Sequence, residues 1–134
     1  MNKTEAAKLL ALIKVAYPYA YKDMDDKNKM ATVNLWQSTF PNVPYAIMEM
    51  AFNHFRKVSN FAPSTADMLK ELKNVYYRAL EEVMTSDDEE VIKISKKIMQ
   101  HTSQYQYGDD GGFKITSHLP KLQTLPERID DNGG

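Results

Sequence analysis

Three histidines, an acidic run and a glycine cluster are the residues of this 134-residue chain whose types could support chemistry. His54, His101 and His118 are scattered, with no His-x-x-x-His pair and no carboxylates at metal-ligand spacing. On a helical stripe, His54 reads as a half-exposed residue at the edge of a core. The run Asp87-Asp88-Glu89-Glu90 could attract a cation, but it lacks the spacing of a calcium loop. It reads better as a solvated first helical turn whose carboxylates complement the helix dipole. Gly108, Gly111 and Gly112 lack the Lys-Ser/Thr of a phosphate-binding loop, and no βαβ pattern surrounds them. No Ser-centred nucleophile elbow is present. The chain has no cysteine, which removes thiol catalysis, disulfides and Cys-based zinc sites. These residues give no catalytic, metal or cofactor site, and the chain is not expected to be an enzyme.

The side chains left to account for are aromatic. Tyr17, Tyr19 and Tyr21 surround Pro18 in so short a run that they cannot all point inward. Tyr19 and Tyr21 are therefore candidate partner-binding residues, because Tyr suits a half-wet interface. Trp36, Phe40, Tyr45, Phe52 and Phe55 lie on or beside helical stripes and read as core. Eight Met in so short a chain add adaptable apolar surface.

The elements that must position these residues are helices. Ala6, Leu9, Leu10, Ile13, Ala16 and Tyr17 repeat at spacings of three and four, predicting a helix over 4–16 that Pro18 stops. A second helix starts near Asp25 or Asp26, carries Met30, Val33, Trp36 and Phe40 on its stripe, and ends at Pro41. Pro44 opens a third, with Ile47, Met48, Ala51, Phe52, Phe55 and Val58, fading at Ser59-Asn60. Ser64 and Asp67 form a near capping box for a fourth. Met68, Leu69, Leu72, Val75, Tyr76, Ala79, Leu80 and Val83 keep its period. Ser86 and Glu89 repeat the capping signal for a fifth helix running to about His101. The reading is all-α: a compact bundle of four to five helices over 1–104, with a flexible C-terminal tail over 105–134.

That tail is punctuated by its glycines, Pro120 and Pro126, and its apolar residues are sparse. Too little surface can be buried there to offset the entropy of ordering. Phe113, Ile115, Leu119, Leu122 and Leu125 are its candidate partner anchors, since such segments often order on a partner. A hairpin pairing Tyr105 and Tyr107 with Phe113 and Ile115 is the alternative arrangement.

Apolar residues make up 43% and charged residues 26%, an ordinary globular balance. The net charge of −1 supplies no field for an anionic surface, so direct nucleic-acid binding is not expected. The opening Met-Asn-Lys-Thr-Glu lacks a signal peptide's apolar run, and no stretch is long enough to span a bilayer. A soluble, cytoplasmic protein without a membrane role is expected.

Several segments together resemble a known family. They are Leu10-Ala11-Leu12-Ile13-Lys14-Val15-Ala16-Tyr17-Pro18, Trp36 with Phe40, Pro44-Tyr45, and the Phe61-Ala62-Pro63-Ser64-Thr65-Ala66-Asp67-Met68 junction. In this order, over residues 4–80, they resemble the helicase loader-and-inhibitor family of bacteriophages of Gram-positive bacteria. The resemblance implies a DNA-replication accessory protein acting by protein–protein interaction in the host cell cytoplasm. It implies two partners: the hexameric replicative helicase, which is held inactive, and an origin-bound replisome organiser, to which the helicase is delivered. It also implies that the C-terminal part contacts the helicase, although the tail after about residue 105 departs from the family's pattern. Two alternatives use the same features: a phage regulator that blocks a host protein, such as an anti-defence factor, and a small helical DNA-binding domain.

Overall fold

The computed structural model describes residues 1–106. Their fold is all-α, with five helices and a closing 3₁₀ turn: α1 Lys3–Ala16, α2 Asp26–Thr39, α3 Tyr45–Phe55, α4 Thr65–Thr85, α5 Glu89–Thr102 and η1 Ser103–Tyr105. The chain divides into two compact units, Met1–Glu71 and Leu72–Gly134.

In the first unit, α1 packs against both α2 and α3. Helix α1 begins one residue earlier than its apolar period suggests, because Asn2 caps it. The Asn2 side chain accepts from the Glu5 amide at 2.8 Å, and Glu5 Oε1 accepts from the Asn2 amide at 2.9 Å. This reciprocal box satisfies two donors that a helix start leaves orphaned. Leu9 and Ile13 are fully buried on the expected stripe, as are Ala6 and, on α3, Met48, Ala51 and Phe52. Met1 is buried too. Its amino group donates to the carbonyls of Val43 at 2.7 Å and Phe40 at 3.1 Å.

Helix α2 starts where its acidic residues predict, with Asp25 accepting from the Asn28 amide at 2.8 Å. Its stripe is narrower than expected. Trp36 is buried and Phe40 is buried at the C-cap, but Met30 is exposed and Val33 only half-buried. A helix buries only the part of its apolar face that meets a neighbour, and α2 packs against α1. Helix α3 also stops early, at Phe55, so Val58 falls beyond the helix and is exposed rather than buried. Pro44 stands just ahead of the helix as its N-cap.

Helix α4 opens with the expected box. Asp67 accepts from the Ser64 amide at 2.8 Å, and Ser64 Oγ accepts from the Asp67 amide at 3.1 Å. In the second unit, Tyr76, Ala79, Leu80, Val83 and Met99 form a buried cluster, with Tyr77 and Ile98 packed against it. Ser86 does not cap α5. Asp88 does, accepting from the amides of Glu90 at 2.9 Å and Val91 at 3.5 Å, while Ser86 Oγ takes the Asp88 amide at 3.1 Å. Asp88 wins because its carboxylate stands nearer the orphan amides and carries the charge that the dipole favours. Tyr105 lies in the 3₁₀ turn. Tyr107, Phe113 and Ile115, the rest of the alternative hairpin, lie outside the described residues.

Candidate partner-binding surface

The link 17–25 between α1 and α2 carries the first unit's conspicuous surface. Tyr17 closes α1 with a non-helical backbone, as expected of a residue before proline, and its side chain is half-buried. Its ring meets Phe52 edge-on at 6.3 Å, and its hydroxyl donates to the Ser59 carbonyl at 2.8 Å. With Tyr17 anchored, Tyr19 is left outward at 83% exposure, with the Lys22 ammonium 5.8 Å from its ring centroid. Tyr21 is half-buried and takes a left-handed backbone, φ 58°. Burial pushes its phenol pKa above the ordinary value.

These side chains border three hollows. The largest, about 710 Å³, lies between the 17–20 turn and the 59–62 loop. Tyr19 stands on one rim and Phe61, 81% exposed, on the other. Arg56 also lines it, its Nε donating to Asn53 Oδ1 at 3.1 Å. Large apolar side chains held out in this way beside an Arg are the usual composition of a protein interface. The second, about 330 Å³, lies between α1 and α2. Ala7, Leu10, Ala11, Met24 and Val33 give it apolar walls, and Lys14, Lys29 and Tyr21 border it. The third, about 480 Å³, lies between the link and the outer side of α2, where Tyr21, Met24 and Leu35 line it.

The two candidate tyrosines thus serve different hollows: Tyr19 the first, Tyr21 the other two. Phe113, Ile115, Leu119, Leu122 and Leu125 lie outside the described residues. Phe61, Arg56, Lys14 and Lys29 are not among the candidate partner-binding residues that the sequence suggests; the basic residues read there as solvated surface. A signal for Phe61 existed: a large aromatic in a Ser/Asn/Pro-rich link, off any helical stripe. Lys14 and Lys29 had none, since pairing them requires knowing how α1 and α2 pack.

Among the described residues, no group of three or more His, Asp or Glu could hold a metal ion. His54 is half-buried on α3, at the core edge where its spacing puts it. No helix of the described residues is long and apolar enough to cross a membrane.

The fold and this surface define a class: a small all-α protein that presents grooved, aromatic-rimmed faces. Residues 1–69 match the family model for the N-terminal domain of a phage helicase loader and inhibitor. The chain belongs to that family, as the segments from Leu10 to Met68 led one to expect. No curated protein and no solved structure matches the chain.

Proposed function

We propose that this protein binds a hexameric replicative helicase, holds it inactive, and delivers it to an origin-bound replisome organiser. The observation that carries the reading is the family match over residues 1–69. The surface around Tyr19, Phe61 and Arg56 supports it physically, because it offers a partner apolar area and a directed cation. In this reading the action is one of binding: the helicase turns over ATP, and this chain biases which state of the helicase is populated. The C-terminal segment, with Phe113, Ile115, Leu119, Leu122 and Leu125 as anchors, supplies the helicase contact, and the host cytoplasm is where it acts.

The test is light scattering or a pull-down against a hexameric replicative helicase in the presence of ATP. A complex at micromolar concentration is expected, and its absence sinks the proposal. Removing residues 107–134 is expected to weaken that complex while leaving the helical circular-dichroism signal nearly intact. An unchanged affinity would reject the role given to the C-terminal segment.

A further inference from the structure

We infer that the groove between α1 and α2 receives an acidic peptide segment of a partner protein, which inserts one large apolar side chain with carboxylates beside it. The choice of a protein as occupant rests on the function proposed above; the chemistry of the groove does not.

The groove's volume of about 330 Å³ is roughly twice the ~150 Å³ that holds a benzene ring, room for one bulky apolar side chain and a polar group beside it. Leu10 and Val33 give it a fixed apolar surface, and Met24 adds an adaptable one. Ala7 and Ala11 are small, which leaves the α1 face of the groove open. Burying an apolar side chain there is favourable at about 25 cal/mol per Å² removed from water.

Charge then selects among apolar occupants. Lys14 comes from the last turn of α1 and Lys29 from the start of α2, so ammonium groups stand on both helices that form the groove. No carboxylate lines it, and neither lysine is paired with one among the described residues. Lys14 complements the C-terminal end of its helix dipole, so its position has an ordinary explanation. Lys29 stands in the first turn of α2, where Asp25 as N-cap and Asp26 already meet the helix dipole, so what Lys29 adds is a cation at the groove with no ion pair among the described residues. A carboxylate bound beside it gains that charge as its partner.

Tyr21 is the independent observation. An aromatic residue at φ 58° stores strain of about 1–3 kcal/mol, and such strain collects at sites where a side chain must be held in place. Here it keeps Tyr21 at the border of the groove, with a hydroxyl that makes no hydrogen bond among the described residues. That hydroxyl is a donor suited to a carboxylate. Single-stranded nucleic acid fits less well, since it needs aromatic faces on which bases stack along a basic track. This groove has a mainly aliphatic surface, two cations and one aromatic ring, that of Tyr21, rather than a succession of rings.

The test uses the full chain and a short fluorescein-labelled peptide with one central Phe among Glu and Asp residues, read by fluorescence anisotropy. Ala11 is exposed, so Ala11→Trp fills the groove while leaving every buried side chain and both lysines in the sequence. Lys14→Glu with Lys29→Glu reverses the charge and leaves the groove open. Each is expected to weaken peptide binding at least about tenfold, the equivalent of about 1.4 kcal/mol. The charge-reversed protein is expected to gain affinity for the same peptide with Lys in place of its acidic residues. Unchanged affinity in either variant overturns the inference, as does a thymidine oligonucleotide or dodecanoate that binds the wild-type groove more tightly than the peptide. The same variants separate the two proposals against the helicase. If the wild-type chain and Ala11→Trp bind it equally, the groove inference fails and the proposed function stands. If the peptide binds as expected and no helicase complex forms, the reverse holds.

Discussion

Ser64 and Asp67 satisfy each other's backbone amides at the start of α4 and thereby fix where that helix begins. A cap of this kind is worth about 0.5–2 kcal/mol. Ser64→Ala is therefore expected to lower the unfolding free energy by about 1 kcal/mol in a urea titration followed by circular dichroism. Because each side chain serves the other's amide, the double variant Ser64→Ala with Asp67→Ala should cost less than the sum of the single ones. Strict additivity would show that the two bonds act independently. Phe52 belongs to another energy class. It is fully buried and holds the Tyr17 ring edge-on, so Phe52→Ala removes core volume and the anchor of the link at once. A loss of about 3–5 kcal/mol is expected in the same titration. A loss under about 1 kcal/mol would mean that the site collapses around the gap.

The helices themselves show which part of the structure local rules could foresee. Pro18, Pro41 and the Ser64–Asp67 pair set boundaries through backbone sterics and hydrogen bonding, which act over a few residues, and the observed ends follow them closely. The buried run of α4 from Met68 to Val83 also followed from its period. The failures lie where a neighbour decides. Met30 stands three residues from Val33 but six from Trp36, about 120° round the helix from it, and the packing of α2 on its Trp36 side leaves Met30 exposed. Val58 keeps period with Phe55, yet the helix has already ended. The candidate surface was legible in part: three tyrosines beside one proline required at least one outward ring, which is Tyr19, and Phe61 stood off every helical stripe, whereas the two lysines gained meaning only from tertiary packing. The phenols yield a prediction at this scale. Tyr21, Tyr45 and Tyr105 have raised pKa values, caused first by burial in each case, with Glu49 and Glu5 adding to the effect on Tyr45. A raised phenol pKa means that the folded state holds its proton more tightly than the unfolded chain. Stability from these groups is therefore complete below the unfolded value near 10 and falls as pH rises beyond it. Thermal melts should be flat in this respect from neutral pH to about 9 and shift downward above about 10. Tyr21→Phe should reduce the shift, and a shift of unaltered size would remove Tyr21 as a contributor.

At the scale of the whole chain, charge and apolar surface argue for different kinds of association. The net charge is −1, with 17 basic and 18 acidic residues, so no long-range field draws the protein to a polyanion. Exposed charges also act over only about 8 Å at physiological ionic strength. The exposed aromatic and aliphatic side chains around Tyr19 and Phe61 bind through burial, which salt leaves nearly untouched. Lys14 and Lys29 add a local and partly screened contribution. Affinity for the helicase proposed as partner should consequently fall by less than about tenfold between about 50 and 200 mM salt. A protein held by six or more phosphate contacts would lose about a thousandfold over the same range. Anisotropy or light-scattering titrations at the two salt concentrations distinguish these cases for the proposed helicase complex and for duplex or single-stranded DNA offered separately. A steep salt slope against DNA, with a flat and weak response to helicase, would replace protein docking with phosphate binding as the principal use of this surface. A shallow slope against helicase assigns the affinity to apolar burial, with the lysines restricting which apolar segment is accepted.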